Sequence, residues 1–307
     1  MHTDQLYPAR GESTRVRAFR VLGGLAAGVV LTQVLGCGVT NKVAVSTMVP
    51  LLESTVESTF RERDVETVRE GIPANLLLLR GFAEEYDGDE TLRILAAQSY
   101  FSFALGFVED FEPDRAALLY SEGWRLGREL LEHRDWFRDA QAEKPVPSAE
   151  VLDKIEEDDV PLLFWTLANW TRWVSLNLDD PAAVAQLARV ELYLDRVIEL
   201  QPDYYYGLPL AMVASLQSFR PEMLGGKPEA SKSNFEEAFR VSGNRMLYFK
   251  VLYAEFYCKR VFDEDCFVET LEEVIAAPDD LLPELQLWNE VAKDKAAYLL
   301  ETRDDYF

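Results

Sequence analysis

Histidine is almost missing from this chain. It has two, His2 and His133, and His2 lies in a segment with the features of an export signal. With one imidazole left, neither a histidine-rich metal centre nor a histidine-activated nucleophile has the material it needs. Cysteine is nearly as scarce: Cys37, Cys258 and Cys266 form no C-x-x-C pair, which removes zinc ribbons and dithiol redox motifs. A glycine-rich phosphate loop and a G-x-S-x-G elbow are both lacking, and with them the usual phosphoryl-transfer and serine-hydrolase signatures. Positive charge is in short supply too. Lys and Arg total 31 against 54 Asp and Glu, a formal balance of −23, which argues against nucleic acid and against electrostatic adhesion to an anionic membrane. Carboxylates are plentiful, but the sequence singles out no acid and base among them. The chain reads as a non-enzyme with no metal and no cofactor.

Long apolar runs are lacking except for Val21 to Val34, which is short for a spanning helix and contains Gly23 and Gly24. Arg10, Arg15, Arg17 and Arg20 precede it, and it ends Val34-Leu35-Gly36-Cys37. A basic start followed by a short apolar run and a small residue is an export signal, and its end resembles a bacterial lipobox, in which the cysteine is acylated and becomes the first residue of the mature chain. The expectation is a signal peptide over 1–36, a lipidated tether over 37–46 anchored through Cys37, and a single domain over 47–307. The protein is then periplasmic and held to the membrane through its lipid alone. Gly38, where inner-membrane retention favours Asp, points to the outer membrane.

What the chain has in quantity is helical periodicity. Met48, Leu51, Leu52, Val56 and Phe60 recur at helical spacing, and a second pattern runs from Val65 through Ile72, Leu76, Leu79 and Phe82, with Pro73 expected to bend or restart it. From Tyr100 the sequence reads Tyr100-x-x-Phe103-Ala104-x-x-Phe107, an acidic link to Asp114, then Ala116-x-x-x-Tyr120-x-x-Gly123. These are the offsets of a tetratricopeptide hairpin. Small residues let the two helices approach, and aromatics fill the space between turns. Asp89 is placed to cap the first helix and Pro113 to open the second. Ala168, Ala211 and Ala254 follow at intervals of 43 residues, longer than the usual repeat of about 34. Insertions at Leu178 to Ala183 and Arg220 to Pro228 account for the extra length, and Val251 to Pro278 reads as one uninterrupted hairpin. Periodicity fades between Trp136 and Pro161, with Lys144 to Pro147 as the place for a break. The fold class is all-α: stacked helical hairpins forming a tetratricopeptide-like solenoid.

Three segments draw attention as binding surfaces. Trp165, Trp170 and Trp173 make an aromatic-rich helix that suits either a wide core or an apolar ligand cavity. Tyr204, Tyr205 and Tyr206 carry phenols that suit half-wet walls. Gly225 and Gly226 mark a turn in an inserted loop, and in a solenoid such loops gather on one face, expected here to be the concave side of the middle repeats. Cys258 and Cys266 are separated by eight residues. In an oxidising compartment that spacing permits a disulfide if their Cα atoms come within about 7 Å, two buried thiols being the alternative.

Pro221-Glu222-Met223-Leu224-Gly225-Gly226-Lys227-Pro228, with Ala230 and Phe235-Glu236-Glu237-Ala238, resembles the T component associated with tripartite ATP-independent periplasmic (TRAP) transporters. Similar to that family also are Ala116 to Leu131, Trp165 to Trp173, Tyr204 to Gly207, and the stretch with Leu287, Asn289, Ala292, Lys295-Ala296, Leu299-Leu300, Asp304-Asp305 and Phe307. The resemblance implies a non-catalytic periplasmic lipoprotein that associates with the solute-binding component of the transporter, forms homo-oligomers with an apolar channel, and takes an apolar small solute. The competing expectation is an envelope-assembly lipoprotein whose repeats grip peptides or unfolded proteins.

Overall fold

The computed structural model describes residues 47–219 and 225–307. The signal segment, Cys37, the tether and Arg220 to Leu224 lie outside the described residues. Contacts divide the chain into Met1–Leu52, of which residues 47–52 are described and helical, and a compact unit over Glu53–Phe307. Among the described residues every regular element is helical.

In chain order the helices are α1 (47–61), α2 (Val65–Glu85), α3 (Glu90–Phe103), α4 (Pro113–Leu131), α5 (Asp135–Ala142), α6 (Ala149–Leu152), α7 (Val160–Ser175), α8 (Pro181–Val184), α9 (Leu187–Leu200), α10 (Leu208–Phe219), α11 (Pro228–Ser242), α12 (Leu247–Leu252), α13 (Glu264–Ala276) and α14 (Gln286–Glu301). Short polar side chains set their starts. The carboxylate of Asp64 accepts from the backbone N–H groups of Glu66 and Thr67, Asp89 from Leu92, Asp180 from Ala182 and Asp263 from Cys266. Pro113, Pro181 and Pro228 sit in first turns, where a missing N–H costs nothing.

Successive helices pack as neighbours. The most extensive pairings are α4 against α7, α10 against α11, and α3 against α4. Ala104, Ala116, Ala168, Ala211 and Ala254, the small positions of the repeat pattern, are all fully buried. Glu90–Val108 is long and apolar enough to cross a bilayer, but most of it is buried inside the protein, packed against α2, α4 and α7.

Pro73 does not restart α2, which runs through it from Val65 to Glu85. Val68, Ile72, Leu76 and Leu79 are buried on one face on both sides of the proline, and that shared face outweighs one lost backbone bond. The stretch around Lys144 to Pro147 is tied down by α9. The buried Arg189 guanidinium donates to the carbonyls of Ala140 at 2.5 Å, Glu143 at 2.8 Å and Pro145 at 3.3 Å, so the loss of periodicity there marks irregular backbone within one unit. Cys258 and Cys266 are joined in a disulfide with their Cα atoms 5.6 Å apart. It fastens the end of one helix to the start of α13.

Candidate functional site

Two hairpins break the α-helical register in the same way. After α3 the chain makes a π-turn over Ala104–Val108, closed by Glu109 N–H to Ala104 C=O at 2.9 Å, and after α12 another over Tyr253–Cys258, closed by Lys259 N–H to Ala254 C=O at 3.0 Å. One extra residue per turn shifts the side chains that follow, and such turns concentrate at functional sites. Here they surround a charged cluster.

Lys295 of α14 is 8% exposed and places Nζ 3.0 Å from Asp110 and 3.1 Å from Glu255. Burial would drive its ammonium down, but Glu255 and Asp110 hold it above its usual range. For Glu255 burial pushes up, while Lys295, Lys259 and Arg172 outweigh it and keep the carboxyl below the usual value. Beside this triad, Glu109 accepts from the Tyr120 hydroxyl at 2.5 Å and takes both Nε and Nη2 of Arg172, Nε at 3.1 Å. The guanidinium lies 5.6 Å from the centre of the Phe256 ring. Burial raises the Tyr248 phenol to about 12.

Arg172 projects into a cavity of about 120 Å³ whose walls include Phe101, Leu105, Thr171, Met212 and Phe256. The Thr171 hydroxyl is buried there with no hydrogen-bond partner. A second hollow, a groove of about 390 Å³, is bordered by Phe60, Leu95, Gln98, Tyr205, Tyr206 and Glu284.

The three tryptophans divide between two places. Positions 165 and 170 are about 140° apart around a helix, so Trp165 meets Tyr205 edge-on at 4.9 Å while Trp170 stacks on Trp124 at 5.2 Å and donates to Gln186 at 2.7 Å. Trp173 meets Trp124 at a tilt, also at 5.2 Å. Trp165 and Trp170 are buried and Trp173 is half-buried, and all three lie outside the walls of both hollows. Between these rings α7 is apolar nearly all round, which is why it runs through the interior.

The tyrosine segment does reach a surface. Tyr205 and Tyr206 both adopt left-handed backbone, with φ of 44° and 63°, followed by Gly207 at 89°. Two adjacent bulky residues in that region are strained, and strain of this kind collects at ligand clamps and switch regions. Gly207 is required both by its φ and by crowding, since a Cβ there would sit 3.1 Å from Val241 Cγ1. The kink turns Tyr204 inward against Phe164, where burial raises its phenol to about 12. Tyr205 accepts from Gln98 at 3.2 Å, and Tyr206 donates to Glu284 at 2.8 Å beneath the Arg245 guanidinium. Gly225 is exposed with φ of 87°, and open space surrounds the position a Cβ would take, so the turn and no close neighbour requires glycine. Gly225 and Gly226 lie outside the walls of both hollows. The structure thus joins Trp165 with the tyrosine segment and separates both from the glycine pair.

The charged cluster and its cavity were not read from the sequence. Arg172 was the available signal, a lone charge in the last turn of an apolar aromatic helix. Among the described residues no group of His, Cys, Asp and Glu is arranged to hold a metal.

Residues 61–307 match the family model for the TRAP transporter T-component. An uncharacterized protein of Treponema pallidum (strain Nichols) is 21% identical over 262 residues, covering 80% of this chain and 81% of that one.

Proposed function

The chain belongs to the TRAP transporter T-component family, and from that membership we propose that it is a periplasmic lipoprotein, anchored in the outer membrane through Cys37, that serves TRAP-type solute uptake by docking the solute-binding component of the transporter. The observation that carries this reading is the extent of the match, which takes in every helix from α2 to α14. The strained tyrosine pair supports a docking role for the groove beside it, because Tyr206 offers a ring and a hydroxyl at the surface on a backbone already fixed for contact. The cavity beside Arg172 is the place for an apolar small solute, in a protein that assembles as a homo-oligomer.

Immobilised protein should capture a TRAP solute-binding protein from envelope extract, identified by mass. Tyr206→Ala should weaken that capture at least about tenfold while moving the melting temperature little. Tyr206 is the better probe of the surface, since Tyr205 also supports Trp165. Unchanged capture by the variant removes the groove from the interface, and a mixture of unfolded clients in place of the solute-binding protein favours an envelope-assembly role. Cys37→Ala should release the protein from membranes into the soluble periplasm; retention without an acyl mass shift overturns the anchor.

A further inference from the structure

The groove beside the tyrosine pair has a floor and a rim of different chemistry, and together they select the group that a docked protein places there. This inference rests on the reading that the groove is a docking surface. The buried side chains of Phe60, Leu95 and Leu285 make an apolar floor, with the rings of Tyr205 and Tyr206 beside it. The rim is acidic. Glu53, Glu57 and Glu284 line it, against Arg61 as the lining cation. Arg61 is bound to Glu57 at 3.0 Å, and Arg245 approaches Glu284 from outside the lining at 3.8 Å. The lining charges and those paired with them are therefore three carboxylates against two guanidiniums, and the carboxylate in excess is Glu53. Glu53 is half-buried, and among the described residues it has no ion-pair partner.

Three features of this rim favour a cation. Glu53 and Glu57 stand four residues apart on α1, where like charges repel, and a cation between them relieves the cost. The Tyr206 hydroxyl is committed to Glu284 at 2.8 Å and the Gln98 amide to Tyr205 at 3.2 Å, which leaves Glu53 to water or to a partner. The aromatic wall already carries one cation, since the Arg245 guanidinium lies 5.8 Å from the centre of the Tyr206 ring. Lysine and arginine lay their hydrocarbon stems on apolar surface and keep the charged head at a polar edge, which is the sequence of floor and rim found here. We propose that the groove is a socket for a lysine or arginine side chain of the docked protein, with its stem on Phe60, Leu95 and Leu285 and its head at Glu53. An anion would meet the excess carboxylate, and an apolar side chain would leave Glu53 as unpaired as before.

The test is an NMR titration of the full chain carrying Cys37→Ala, with leucine and valine methyls labelled so that Val56, Leu95 and Leu285 report the groove itself. The probes are hexylammonium, hexanol and hexanoate at neutral pH, which share one stem and differ in the head. Hexylammonium should bind about threefold more tightly than hexanol, the effect of one exposed ion pair, and hexanoate should bind most weakly. Glu53→Gln keeps the shape and removes the charge; it should bring hexylammonium level with hexanol and leave hexanol unchanged. Salt at about 0.5 M should shrink the preference in the parent protein. Hexanoate binding as tightly as hexylammonium, an unchanged preference in Glu53→Gln, or no shift of these methyls with hexylammonium would each overturn the assignment. Shifts of the same methyls with protein concentration alone would give the groove to a second copy of the chain and overturn it as well. No partner protein enters these titrations, so their failure leaves the docking of a solute-binding protein standing, and a failed capture leaves the preference for a cationic side chain standing.

Discussion

Replacing Lys295 with methionine is expected to cost about 3–5 kcal/mol at neutral pH, the penalty for leaving buried charge without its partner. Methionine keeps the length and apolar stem of lysine, so the loss reports charge, with little from packing. Asp110 and Glu255 both lean on the same ammonium, at 3.0 and 3.1 Å; Lys295 is buried and Glu255 half-buried, while Asp110 reaches the surface. The pH dependence follows from the directions of the shifts. The Glu255 carboxyl sits below its unfolded value, so its contribution is complete above about 4.3 and is lost as the pH falls through the folded value; the Lys295 ammonium sits above its unfolded value, so its contribution is complete below about 10.4 and is lost at higher pH. Without Lys295 only Lys259 and Arg172 remain to oppose the burial of Glu255, so its carboxyl moves up and its contribution at neutral pH shrinks. Urea denaturation of the two proteins should give the widest gap between about pH 6 and about pH 9, narrowing toward pH 4. Adding Glu255→Gln and Asp110→Asn to Lys295→Met should recover most of the loss. A gap under about 1 kcal/mol, in the range of exposed pairs, would mean that water already screens the cluster.

The repeat pattern was legible because it is local. Ala104 and Ala116 are read as close-approach positions from spacing alone, and both are fully buried. The same holds for the cap at Asp89, where a side-chain acceptor precedes an apolar run. The π-turns were not legible, since Ala104–Val108 and Tyr253–Cys258 have the composition of any helix and the extra residue comes from how their neighbours pack. Nor was the left-handed pair at Tyr205 and Tyr206, because bulky residues carry no signal for a conformation that only tertiary contacts impose. The charged cluster was furthest from view. Lys295 and Asp110 are 185 residues apart, and each alone is one charge among 28%. Sequence patterning found the scaffold, while the cluster and the cavity depend on pairings between distant hairpins.

Gly123→Ala, a change of one methyl group, should destabilise the protein by about 3 kcal/mol, at the upper end of what overpacking costs. In most exposed helix positions the same change is stabilising, by about 0.4–1 kcal/mol, so the sign itself is the test. Gly123 lies on α4 where that helix meets α7, and a Cβ there would fall 2.3 Å from Asn169 Oδ1 and 2.5 Å from Asn169 Cγ. Asn169 has no room to yield. It is fully buried, and its Nδ2 donates to Ala97 C=O at 2.9 Å and to Trp165 C=O at 2.8 Å, so moving the amide breaks the bond that ties α3 to α7 and a second within α7. A Cβ added at Gly127, one turn further along, would likewise fall on the Thr166 hydroxyl, which makes the seam a pair of close approaches. Combining Gly123→Ala with Asn169→Ala should be less damaging than the two single losses added together, because the methyl then enters the space the amide vacates. A Gly123→Ala protein as stable as the parent, or a double variant at the additive sum, would mean that the two helices can separate at no cost and that the small residue at this repeat position is dispensable.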